Sequence, residues 1–102
     1  MDTLSNLWTN YAEDADIFYV RLRSDVQDAR TQEADHGVLV DRDPTTGDVV
    51  GIEILDFLGH FAILADLSWL LPLGIPSEII PLLRQKANEL QQTASLSDSL
   101  AP

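Results

Sequence analysis

Alternation of apolar and polar positions dominates the first half of the chain and disappears from the second. Ile17 to Arg23 (I-F-Y-V-R-L-R) places Phe18, Val20 and Leu22 on one face of a strand and Ile17, Tyr19, Arg21 and Arg23 on the other. A shorter strand is predicted before it, over Leu7 to Tyr11, with Ala12 to Asp16 as a polar hairpin turn. Val26 to Gln32 reads as a weaker strand. Gly37 to Arg42 (G-V-L-V-D-R) and Val49 to Asp56 (V-V-G-I-E-I-L-D) carry the clearest hairpin signal. In the loop between them Pro44 fixes φ and Gly47 is free to take positive φ. The pattern predicts an antiparallel β-meander of four to five strands over residues 7–56, with short connections.

The second half changes period. His60 to Leu71 is apolar nearly all round and is read as a short buried helix; Pro72 to Pro76 breaks it. Ser77 is a candidate N-cap with Glu78 in the first turn, and Pro81 falls where a missing N–H costs no intrahelical bond. Ile79, Leu82, Leu83, Ala87 and Leu90 then form one stripe of a helix over about 77–92. Residues 93–102 read as a flexible tail. The expected fold class is α+β, a single domain over 1–92 in which the sheet is followed by two C-terminal helices.

The two faces of the sheet differ. Val38, Val40, Val50, Ile52 and Ile54 join Phe18, Val20 and Leu22 on one side. The other holds Ile17, Tyr19, Leu39, Val49 and Leu55 interspersed with Arg21, Asp41 and Glu53, too apolar to be left wholly in water. One helix pair covers one face, so a homodimer is expected. Its interface would use Phe61, Leu64, Trp69 and Leu70, or the face of Ile17, Tyr19 and Leu39. Gly51 in mid-strand implies a bulge or a close backbone approach.

Charge narrows the partners. The 102 residues carry 17 acids against 6 bases, a net charge of −11, and the acids concentrate in the first 60 residues. Nucleic acid and anionic membrane surfaces are excluded, since both select clustered Lys and Arg; a basic protein partner is favoured. The greasiest stretch, Ile52 to Ile75, is interrupted by Glu53, Asp56, His60 and Asp66 and is not a membrane span. No N-terminal signal pattern is present, and with no cysteine at all the chain is expected to be cytoplasmic.

Candidate chemistry is sparse. Asp41, Asp43 and Thr45 open like a calcium loop, but Thr46 stands where its glycine belongs and Ile52 where its last acid belongs. His36 and His60 have no helical-spacing partner. Glu53, inside an apolar strand, is the least expected acid. It is read as a carboxylate presented on the sheet for catalysis or ligand contact, as a cross-strand ion pair with Arg21 or Arg42, or as simply solvent-exposed. No catalytic residue, cofactor site or metal site is assigned, and Asp41 with Glu53 is the polar candidate.

The strings Y-A-E-D-A-D-I-F-Y-V-R-L, G-V-L-V-D-R-D and G-D-V-V-G-I-E-I-L-D resemble domain-of-unknown-function family 2283, over about residues 8–57. The family-like positions are Tyr11, Asp14, Ala15, Asp16, Tyr19, Gly37, Asp41, Gly51 and Glu53, while Ala12 departs from the usual Asp. The resemblance implies a compact antiparallel sheet domain without established catalytic residues, and an antitoxin-like or regulatory binding role. It says nothing of the region after Phe57. The expected function is therefore a non-enzymatic protein-binding or regulatory module. The alternative is a small-ligand-binding protein or enzyme that uses the sheet carboxylates.

Overall fold

The computed structural model describes residues 7–100. Strands β1 (Trp8–Ala12), β2 (Ile17–Arg21), β3 (Arg30–Glu33), β4 (Val38–Arg42) and β5 (Val49–Ile54) precede two 3-10 turns and a long helix, α1 (Ile79–Leu100). All strand pairs are antiparallel, so the α+β class and the five-stranded sheet follow the alternation in the sequence. The order across the sheet is β1-β2-β5-β4-β3. Within this meander-like sheet β1–β2 and β3–β4–β5 each run as neighbours, while the link from β2 to β3 passes over two strand positions. That link includes most of the expected Val26–Gln32 strand. Only Arg30–Glu33 pairs as a strand, because Val26 instead buries its side chain below the link and its carbonyl accepts a bond from Arg21 (Nη2, 3.3 Å).

The predicted core face is the core. Phe18 pairs with Ile54 and Val20 with Ile52, and on the other side of β5 Val38 and Val40 oppose the same two isoleucines. All six are at most 2% exposed. A register slip at Asp41/Arg42 corrects one detail: Val49, assigned to the opposite face, joins the core cluster, and Val50 is buried outside it.

The covering layer differs most from expectation. His60–Leu71 is not one helix but two 3-10 turns, Phe61–Ile63 and Ser68–Leu73. Leu64 is extended between them, and Asp66 takes the Ser68 N–H (3.0 Å) and hydroxyl (3.0 Å), restarting the chain in a new turn. Pro72 then bars an α-helical ladder, and Gly74 closes the second turn at φ 95°. A run that is apolar nearly all round has no clear period to mark such breaks, and Asp66 and Ser68 are its only local signal. The α1 helix runs on to Leu100, past the tail boundary expected at residue 92, since extending a nucleated helix costs little. Residues 101–102 of that tail lie outside the described residues. Ser77 is not an N-cap by its side chain: its hydroxyl bonds Glu78 (3.3 Å), and its backbone carbonyl takes the Ile80 N–H. Ile79, Leu83 and Ala87 are buried against the sheet with Phe57, Phe61, Leu67, Leu70 and Ile75, so a single layer closes the core.

Candidate functional site on the open face of the sheet

With one sheet face closed by the chain's own C-terminal segment, function must be sought on the other. The strand register arranges that face in rows. Trp8, Arg21, Gly51, Asp41 and Thr31 stand side by side across all five strands, and Asn10, Tyr19, Glu53, Leu39 and Glu33 form the next row. Between them lies an open groove of ≈ 750 Å³, lined among others by Trp8, Tyr19, Arg21, Thr31, Asp41 and Glu53. Trp8 is 55% exposed, and Tyr19, Arg21, Leu39, Asp41 and Glu53 are half-buried.

Gly51 forms the floor. A Cβ there would lie 3.1 Å from the Val20 carbonyl and 3.3 Å from Asp41 Oδ2, so the close approach expected of this glycine is present, next to the bulge. The Asp41 carboxylate occupies the space a side chain would fill and is oriented from its other oxygen by the Thr31 hydroxyl (2.7 Å). Gly51→Val should force these groups apart and cost roughly 1–3 kcal/mol by overpacking. Urea unfolding checks this; an unchanged midpoint would contradict the close approach.

Glu53 is neither of the ion pairs expected for it. No cation lies within 4.0 Å of its carboxylate among the described residues. Arg42 is on the core side, held by Gln32, the Gly47 carbonyl and the Leu73 carbonyl. Burial and the adjacent Asp41 charge push the Glu53 pKa up, against a smaller opposing pull from Arg21. The groove therefore holds a carboxylate with no close counter-ion among the described residues. The calcium-like loop is a plain hairpin turn. Asp43 accepts the Thr45 N–H (2.8 Å) through its side chain and the Gly47 N–H (2.7 Å) through its backbone.

The expected interaction residues separate into two groups. Phe61 and Leu70, at 1% and 0% exposed, belong to the core of one chain, with Leu64 and Trp69 packed against it. That half of the proposed dimer surface is used within the chain. Ile17, Tyr19 and Leu39 remain on the open side, half-buried.

Two constellations join residues far apart in the sequence. Asp16, at φ 54°, accepts from the Tyr11 hydroxyl (2.7 Å) and the Leu58 N–H (2.9 Å) on one oxygen and from the Gly59 N–H (3.0 Å) on the other. It clamps the β1–β2 turn to the chain leaving β5, which gives the family-like Tyr11 and Asp16 a structural duty. The second is a contact between His36 and His60, Nδ1 to Nε2 at 3.0 Å, both exposed.

No curated protein and no solved structure matches the chain. Among the described residues no helix is long and apolar enough to cross a membrane. The family-like strings, the sheet they form and the clamp between them all fall in or end at one segment. Residues 8–57, the segment that forms all five strands, match the family described as protein of unknown function (DUF2283).

Proposed function

We propose that this protein is a non-enzymatic binding module whose open sheet face receives a basic segment of another protein. The observation that carries the reading is Glu53: a half-buried carboxylate with a raised pKa, beside a second carboxylate, with no cation within 4.0 Å among the described residues. A partner's guanidinium or ammonium would relieve that repulsion, and Trp8 and Tyr19 offer aromatic faces on which it can stack. The face carries Glu33, Asp41 and Glu53 against Arg21, within a chain of net charge −11. Complementary charge of this kind speeds encounter and selects partners. A second copy of the chain is the weaker occupant, because two such faces repel.

The test is titration of the protein with a peptide of alternating arginine and glycine, followed by calorimetry. Saturable binding is expected, weakening with added salt, and Glu53→Gln should weaken it by about tenfold, equivalent to about 1.4 kcal/mol. Binding unaffected by Glu53→Gln would overturn the reading. Arginine amide should bind more weakly than the peptide; equal affinity would favour the small-ligand alternative, for which the groove volume is adequate.

A further inference from the structure

We propose that His36 and His60 form a proton-operated latch between the β3–β4 turn and the segment leaving β5: one shared proton holds it closed and full protonation opens it. His36 sits at φ 57° beside Gly37, and the His60 N–H is fixed by the Asp56 carbonyl (2.8 Å). The ring centres are 5.3 Å apart with an interplanar angle of 24°, while the facing nitrogens are 3.0 Å apart. These values place both nitrogens near the line joining the ring centres, so the rings meet end to end near a common plane rather than face to face.

That geometry requires a proton on one facing nitrogen and a lone pair on the other. Two neutral rings meet it with one suitable tautomer each. A pair with one additional proton still meets it, as a charge-assisted bond. When both rings are imidazolium, two N–H groups and two positive charges oppose each other, and the bond is lost. A chelated metal is the poorer occupant, because the lone pairs do not converge to one side. In addition, no group of three metal-ligating His, Asp or Glu side chains occurs among the described residues.

The latch has something to release. His36 also packs on Trp69, with ring centres 5.0 Å apart, and Trp69 meets Phe61 edge-on at 6.4 Å. Trp69, Leu73, Ala34, Glu33 and Asp35 line a cleft of ≈ 340 Å³ beside the turn. The charged groups on the segments meeting here are Glu33 and Asp35 on the β3–β4 hairpin, Asp16 and Asp56 at the clamp, and Asp66 ahead of the second 3-10 turn. None forms an ion pair with either imidazole within 4.0 Å among the described residues, so full protonation finds no close counter-charge to keep the latch shut.

A double-mutant cycle tests this. Urea unfolding is measured for the parent, His36→Asn, His60→Gln and the double variant, at about pH 7.5 and about pH 5, across the range in which an imidazole ordinarily changes charge. Asn tolerates the left-handed backbone at residue 36, and both rings are exposed, so all four proteins should fold. The expected result is a roughly 2- to 10-fold coupling favouring the folded state at the higher pH, absent or reversed at the lower. Titration of other groups is common to all four proteins and cancels. No coupling at neutral pH, or equal coupling at both values, would overturn the proposal.

Discussion

Urea unfolding of Asp16→Ala should show a loss of roughly 3 kcal/mol, because three donors lose an ionised acceptor at once and hydrogen bonds to charged groups contribute about 1.5–3 kcal/mol each. Partial exposure of Asp16 brings the total below the plain sum of three such bonds. Among the described residues the Leu58 and Gly59 N–H groups and the Tyr11 hydroxyl make no other hydrogen bond to replace it. A loss below about 1 kcal/mol would show that the clamp does not hold the two turns together.

The same clamp sets two pH windows. Burial opposes ionisation of Asp16, but the Leu58 N–H, the Tyr11 hydroxyl and the Gly59 N–H outweigh it, and its pKa falls below the ordinary 3.8. A depressed carboxylate contributes stability that is complete above 3.8 and is lost as pH falls through the folded value. Tyr11 moves the other way. Burial first, then Asp16 through its hydrogen bond and charge, raise the phenol from 10.0 to about 12. Its contribution is complete below pH 10 and is lost as pH rises toward about 12. In Asp16→Ala the tyrosinate absorbance of Tyr11 should appear at lower pH than in the parent.

Phe57→Ala is expected to be the most damaging single core change, at about 3–5 kcal/mol. Phe57 is 0% exposed and stacks on Phe18 at 4.6 Å and Phe61 at 5.7 Å, with Tyr11 tilted against it at 6.2 Å. It joins the sheet, the clamp and the C-terminal cover, so the cavity left behind opens onto all three. Against a typical domain stability of 5–15 kcal/mol, such a loss should lower the urea midpoint sharply, with Phe57→Leu much milder. A cost for Phe57→Ala under about 1.5 kcal/mol would place the core elsewhere.

What could be read in the sequence followed from period. Alternation in Ile17–Arg23 and Val38–Val40 placed the core face and, by difference, Asp41 and Glu53 on the other. Nothing local encodes which strand edges meet, so the return of β5 to β2 had no signal. The Val26 region imitated a strand because a single buried anchor and a strand residue are both apolar. The run from His60 to Leu71 hid its two turns because a stretch apolar nearly all round has no clear stripe to read. The Asp16 clamp and the His36–His60 contact join residues 42–43 and 24 positions apart. Their only local marks were turn positions, at which Asp16, His36 and Asp56 all take positive φ.

The central claim, that the open sheet face binds a cationic segment, is tested most directly by amide NMR of the labelled protein during titration with the arginine–glycine peptide. Saturable shifts are predicted on Tyr19, Arg21, Leu39, Asp41, Gly51 and Glu53, and should be strongly reduced in Glu53→Gln. Shifts confined to the 3-10 turns or α1, or none at peptide concentrations that saturate calorimetry, would contradict it.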